Sequence, residues 1–229
     1  MNDPHAAAKR LAAVAAANLV EPGTTIGLGT GSTFALCLER LGERMRDEGL
    51  QFRGVPTSEA TARRARELGI PLVDLAEIDF LHLAIDGADE IDPEKNMIKG
   101  GGGALVRERI VAANAREMIV LVGENKLVGK LGSTFRLPVE VMRFGHRQVA
   151  RELERLGGKP ALRARPDGSP FVSDNEHLIY DCDFGPIEDP RRLAVTLRML
   201  PGVVDSGLFV GMAGRVFVGT ADGTVRTLP

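Results

Sequence analysis

Apolar positions along the chain change period several times, and each change marks an element. Leu11, Val14 and Asn18-Leu19 recur at helical spacing behind Asp3-Pro4, an N-cap followed by a first-turn proline, until Glu21-Pro22-Gly23 ends the run. A surface helix is predicted there. Residues 24–29 predict a short strand running into small residues, and Phe34, Leu38, Leu41 and Met45, spaced four, three and four apart, predict a helix behind it. Residues 52–55, 81–85 and 118–122 read as further buried strands, and residues 58–68 and 104–115 as helices. This alternation predicts a parallel sheet covered by helices.

Beyond Lys126 the pattern changes. A strand at Val139-Glu140-Val141, a helix over about 145–156, two strands around Asp167-Gly168, a helix over about 190–200 and a strand at 208–210 follow in the order βαββαβ. That order predicts a ferredoxin-like unit. Residues 216–220 and 224–228 flank Asp222-Gly223 as a hairpin that returns to the first domain. The expected fold is α/β: a Rossmann-like parallel-sheet domain of residues 1–131 plus 205–229, and a smaller ferredoxin-like α+β domain of residues 132–204.

Composition removes several function classes. With 229 residues, 44% of them apolar, the chain can bury a sizeable core. Its 29 basic and 31 acidic residues leave a net charge of -2, without the basic excess of a nucleic-acid footprint. No nucleic-acid partner is expected. Aromatic residues make up 4% with no Trp, which leaves little for base stacking or a membrane-interface belt. Lys9, Arg10 and Asn18 interrupt the Ala-rich residues 6–20, too short a run to span a bilayer and without signal-peptide features. No membrane association is expected. Cys37 and Cys182, one in a predicted helix and one in a predicted strand, suit buried reduced thiols and a cytoplasmic location.

Four segments can carry chemistry. Gly29-Thr30-Gly31-Ser32-Thr33 lies between a strand and a helix, where open amides, hydroxyls and close backbone approach suit a phosphate; a plain strand-to-helix turn is the competing reading. A dinucleotide fingerprint fits less well, since Ser32 or Phe34 occupies its third glycine position. Asp86-Gly87-Ala88-Asp89 follows a buried strand and offers two carboxylates to sugar hydroxyls, although Glu90, Asp92 and Glu94 leave a solvated acidic turn as an alternative. Metal binding lacks the spacing of a calcium loop. Lys99-Gly100-Gly101-Gly102-Gly103 is costly in backbone entropy, which points to close approach or to a hinge, and Lys99 can place charge beside an oxyanion. Glu108 follows on the helix face of Ala104 and Val111; partial desolvation there would suit a general base, while a surface salt bridge is the bland alternative. Lys126 stands beyond the strand at 118–122. His5, His82, His146 and His177 show no ligand spacing, and His82 is expected to pack in its strand.

Taken together, Gly-Leu-Gly-Thr-Gly-Ser-Thr at 27–33, Asp-Gly-Ala-Asp at 86–89 and Lys-Gly-Gly-Gly-Gly-Ala-Leu-Val-Arg-Glu at 99–108 resemble the ribose-5-phosphate isomerase A family. Phe184-Gly185-Pro186-Ile187 and Pro201-Gly202-Val203-Val204 extend the resemblance almost over the whole chain. It implies an aldose-ketose isomerase of the non-oxidative pentose phosphate pathway with Glu108 as proton acceptor. Catalysis would also involve Lys99, Asp86 and Asp89. Substrate would be held by Thr30, Gly31, Ser32, Thr33, Asp86, Gly87, Ala88, Asp89, Lys99, Gly100, Gly101, Gly102 and Lys126. The sugar phosphate is the expected partner, together with further copies of the chain in a dimer or tetramer; neither metal nor other cofactor is implied. A non-catalytic sugar-phosphate sensor and a coenzyme A transferase are the rival classes, and only the isomerase would act on ribose 5-phosphate alone.

Overall fold

A computed structural model describes residues 4–228 of the chain, and side chains from residue 7 onward. Asp3, read as an N-cap, lies outside the described residues. Two compact units result: one comprises the chain up to Ala88, Arg107–Lys126 and everything from Met212; the other comprises Asp89–Val106 and Leu127–Gly211.

In the first unit, with elements numbered along the whole chain, the strands are β1 (Thr25–Leu28), β2 (Arg53–Pro56), β3 (Leu83–Gly87), β6 (Met118–Gly123), β12 (Val216–Gly219) and β13 (Val225–Leu228). They form one sheet in the order β13-β12-β6-β3-β1-β2. All neighbours are parallel except β12 and β13. Every residue of β1 and β6 is buried, as their continuous apolar runs require of strands covered on both faces. The order reverses at β1, whose neighbours β2 and β3 lie on opposite sides, so the crevice for a ligand opens at the carboxyl ends of β1 and β3. The C-terminal hairpin joins this sheet through β12 and β6, as its sequence position suggested.

Helix α1 (Pro4–Ala17) departs from the expected surface helix. Leu11 is 36% exposed, whereas Ala8, Ala12, Ala13, Ala16 and Ala17 are fully buried. The face that packs is the alanine face, against α2 (Ser32–Asp47), β6 and β12. Large residues dominated the sequence pattern, but small ones allow the closest backbone approach, and here that approach decides. A Cβ added to Gly219 would lie 1.9 Å from the Ala8 carbonyl oxygen. Phe34, Cys37, Leu38 and Leu41 of α2 fill the remaining core with Ile26, Leu28, Ile85 and Ile119. Helix α3 (Glu59–Glu67) starts at Ser58, whose hydroxyl accepts the Thr61 N–H.

The second unit holds β4 (Glu90–Ile91), β5 (Met97–Ile98), β7 (Leu137–Val141), α5 (His146–Arg155), β8 (Lys159–Leu162), β9 (Leu178–Asp183), α6 (Pro190–Arg198), β10 (Val203–Ser206) and β11 (Leu208–Phe209). Its four-stranded sheet is antiparallel in the order β10-β7-β9-β8, the ferredoxin-like arrangement. One expectation changes. The closing strand of βαββαβ is β10, not the apolar residues 208–210: Leu208 and Phe209 pair instead with Ile98 and Met97 in a three-stranded sheet ordered β11-β5-β4. Asp205 and Ser206 make β10 look polar, which hid it. Alternate residues of β7 and β9 bury Leu137, Val139, Val141, Leu178, Tyr180 and Cys182 with Val149, Leu153 and Leu197 of the two helices.

Cys37 and Cys182 are both free and buried, and desolvation pushes each thiol up to about 12. Nδ1 of His82 accepts the Thr25 N–H at 3.1 Å, a packing role within the sheet. Among the described residues no helix is long and apolar enough to cross a membrane.

Gly219→Ala is expected to force α1 away from β12 and to cost about 1–3 kcal/mol, as overpacking generally does. Chemical denaturation should show the lower midpoint; an unchanged midpoint would mean that the helix yields freely.

Candidate active site

In the first unit the sequence motifs gather at the carboxyl ends of β1, β3 and β6. Asp86, 3% exposed, ends β3 with Gly87, and its Oδ1 accepts the N–H of Thr30 at 3.0 Å and that of Gly87 at 2.8 Å. The loop after β1 is thereby tied to the strand beside it. A Cβ at Gly29 would lie 2.3 Å from that same carboxylate oxygen, so the glycine is required by close approach rather than by turn geometry. Gly31 then adopts φ 103°, open only to glycine at low cost, and begins α2 without a capping side chain. The Ala35 N–H donates to the Gly31 carbonyl at 2.9 Å, so the amides of Ser32, Thr33 and Phe34 come before the first intrahelical bond. A helix start with open amides and two hydroxyls is suited to a phosphate.

Thr30 Oγ1 stands within hydrogen-bond distance of Thr57 Oγ1 at 2.8 Å and Ser58 Oγ at 2.9 Å. Thr61 Oγ1 in turn donates to the Gly29 carbonyl at 2.7 Å. This hydroxyl network braces the loop and was missed in the sequence. Its signal in the sequence is Thr57, Ser58 and Thr61, three hydroxyl residues within five positions at a strand end. Lys126, half-buried, closes the one-turn helix Glu124–Lys126 directly after β6. Glu108 lies in the first turn of α4 (Leu105–Ala113) and is 4% exposed, on the face that also buries Ala104, Leu105 and Val111. It does not lie at the surface.

In the second unit the β4–β5 hairpin does the positioning. Its register pairs Glu90 with Ile98, and the Asp89 N–H donates to the Ile98 carbonyl at 2.8 Å, which sets Asp89 beside Lys99 and the glycines that follow. Asp89 Oδ2 accepts the Gly101 N–H at 2.8 Å. A Cβ at Gly101 would lie 2.8 Å from Asp89 Oδ1. Lys99 is 2% exposed, its N–H donates to the Gly207 carbonyl at 2.9 Å, and its ammonium lies 5.5 Å from the Phe209 ring centroid, where the ring face favours a cation.

The solvated acidic turn that competed with this motif is not what forms. Glu90 is fully buried, and its carboxylate accepts the N–H groups of Gly132 and Thr134 at 2.5 Å each and of Phe135 at 2.8 Å. Asp92 is buried too and accepts the Asn96 N–H at 2.8 Å; only Glu94 is exposed. These acids shape the hairpin that carries Asp89 and Lys99. Among the described residues no group of three or more His, Cys, Asp or Glu side chains is placed to hold a metal ion.

Gly29→Ala is expected to break the Thr30–Asp86 contact and to weaken sugar-phosphate binding by at least tenfold, roughly the value of one charge-assisted hydrogen bond. Calorimetric titration with ribose 5-phosphate would measure it; unchanged affinity would detach this loop from substrate.

The family profile described as ribose 5-phosphate isomerase A (phosphoriboisomerase A) matches residues 53–223. The ribose-5-phosphate isomerase A of Thermomicrobium roseum is 53% identical over 217 residues, covering 94% of this chain and 91% of that one. That of Synechococcus sp. (strain JA-3-3Ab) is 50% identical over 221 residues, covering 96% of each. Among solved structures, ribose 5-phosphate isomerase A from Methanocaldococcus jannaschii superimposes with a TM-score of 0.92 at 43% identity, over 96% of this chain and 97% of that one. A D-ribose-5-phosphate isomerase in complex with phospho-erythronic acid superimposes with a TM-score of 0.95 at 38% identity, over 100% and 99% of the two chains. With carboxylates, lysine and glycine loops arranged as above and relatives of this identity along nearly its whole length, the chain belongs to the ribose 5-phosphate isomerase A family.

Proposed function

We propose that this protein is an isomerase that interconverts D-ribose 5-phosphate and D-ribulose 5-phosphate through an enediolate. The observation that carries the reading is the buried Glu108 carboxylate, one helical turn beyond the glycine loop, in a chain whose relatives bear the isomerase name. A solved relative holds phospho-erythronic acid, a four-carbon acid phosphate that imitates a planar enediolate carrying a phosphate tail.

The open-chain aldose carries an acidic proton at C2. Glu108 removes it and returns it at C1, so one carboxylate serves both carbons and the hydrogen travels as a proton. Charge that develops on the carbonyl oxygen is met by the Lys99 ammonium and by the glycine loop, where the Gly101 amide is held by Asp89 and the Gly102 amide is left to the substrate. Asp86 and Asp89 accept hydroxyl protons of the sugar and assist opening of the furanose ring. Thr30, Gly31, Ser32 and Thr33 hold the phosphate at the start of α2, with Lys126 as a further cation; Gly87 and Ala88 line the path between the two aspartates. The reaction needs no redox partner, because the electrons move within the substrate. We place the enzyme in the cytoplasm, which suits its two reduced thiols, as a homo-oligomer in the non-oxidative pentose phosphate pathway.

Incubation with ribose 5-phosphate alone tests the activity. Dialysis against a chelator should leave the rate unchanged, since a carboxylate carries the proton; loss of rate restored by a divalent cation would overturn this part. Glu108→Gln keeps the side-chain shape but cannot accept a proton, and kcat should fall at least about a hundredfold with the fold intact. In heavy water the wild type should place deuterium at C2 of the aldose or C1 of the ketose, and the Gln variant should not. Wash-in by a folded Gln variant at the wild-type rate would move the base to Asp86 or Asp89.

A further inference from the structure

Beneath the glycine loop lies an ion pair that none of the steps above uses. Arg163 follows β8, and its backbone is fixed on both sides: its N–H donates to the Ile179 carbonyl and its carbonyl accepts the Phe171 N–H, each at 2.8 Å. Nε and Nη2 of its guanidinium form a two-pronged pair with the Asp181 carboxylate. Nη1 donates to the carbonyl oxygens of Gly100 at 2.9 Å and of Gly101 at 3.2 Å. The side chain is largely buried, 5.6 Å from the Phe171 ring centroid.

A trans peptide sends its C=O and N–H in opposite directions, and no cis bond occurs among the described residues. The peptide between Gly100 and Gly101 therefore has the guanidinium at its oxygen and Asp89 at its hydrogen, since the Gly101 N–H donates to Asp89 Oδ2 at 2.8 Å. Hydrogen bonds in such a chain polarise one another. In the next peptide, the carbonyl of Gly101 also turns toward Arg163, which directs the Gly102 N–H away from it. Gly101 and Gly102 are exposed, and the Gly100 carbonyl also accepts the Gly103 N–H at 3.0 Å, so a tight turn closes over these glycines while the Arg163 and Asp89 bonds tie it to the β-sheet beneath.

We propose that Arg163, clamped by Asp181, is a positioning residue of the isomerase: it fixes two glycine peptides so that one holds Asp89 and the other presents its amide to the substrate. Neither Arg163 nor Asp181 touches substrate. The inference rests on the isomerase reading. Lysine cannot replace the arginine, because a single ammonium cannot pair with the carboxylate in two-pronged fashion and reach both carbonyls.

Steady-state kinetics with ribose 5-phosphate on the full chain test it, with thermal midpoints measured alongside. Arg163→Lys and Arg163→Ala should each lower kcat roughly tenfold to a hundredfold, the scale of a misplaced catalytic group, with KM held within about threefold. Added guanidinium ion should restore part of the Ala variant's rate. Because Arg163 acts through Asp89, adding Arg163→Ala to Asp89→Asn should cost much less than it does in the wild type. A kcat within about twofold of wild type, full additivity with Asp89→Asn, or a fall in thermal midpoint without a fall in kcat would overturn the proposal. Where the arginine variants do not fold, Asp181→Asn releases the clamp and must itself lower kcat with KM kept; an unchanged kcat there is equally fatal. A wild type that neither isomerises the substrate nor exchanges its C2 proton would instead sink the isomerase reading.

Discussion

Close approach of backbone amides to carboxylates is the constraint on which the rest of this structure depends. Asp86 accepts the N–H groups of Thr30 and Gly87, and Asp89 accepts that of Gly101. In both places a neighbouring glycine is obligatory, because a Cβ at Gly29 or Gly101 would enter the space of the carboxylate. The same physics therefore accounts for two glycine-rich loops that differ in sequence. Each loop gives up side chains so that its amides can hold an aspartate, and the aspartate in turn sets the loop. Neither could be rebuilt by local propensity alone, since free glycines would sample many conformations.

Buried charge is the second theme. Asp86, Glu90, Lys99 and Glu108 all lie at or below 4% exposure, and ionised groups leave water only at large cost unless partners replace it. Glu90 receives three backbone amides and Lys99 an aromatic face. Such investment has little value for stability, because apolar residues of similar size would serve a core at least as well. On the proposed reading its value lies in holding Asp86, Lys99 and Glu108 where water competes little with a substrate. The acidic run after Asp89 is shaped into a hairpin of two-residue strands rather than left in solvent.

The sequence was legible where apolar runs were long. Residues 118–122, continuous and apolar, could only be a buried strand, and the period of Phe34, Leu38 and Leu41 could only be a helix. It was opaque where strands have two residues, as in β4, β5 and β11, for which no period can be counted. Helix α1 was misjudged because alanine carries little weight in a hydrophobic pattern, yet packs closest. The glycine turns could be located from sequence, but their partners could not: Arg163 and Asp181 lie some sixty and eighty residues beyond the loop they brace, and nothing local to either announces it.

Under the function proposed above, these contacts also suit the three carboxylates to different work. Asp86 and Asp89 each commit oxygen lone pairs to backbone amides, which fixes their direction and makes them acceptors of set geometry. A group that must take a proton at one carbon and release it at the next needs reach and some freedom of rotation. Glu108 has the longer side chain, projects from a helix rather than from a turn, and shares the buried face of that helix with Ala104, Leu105 and Val111. On the proposed reading, Asp86 and Asp89 orient the sugar and Glu108 carries the proton between its carbons, and the glycine loops are what hold the two aspartates to their part.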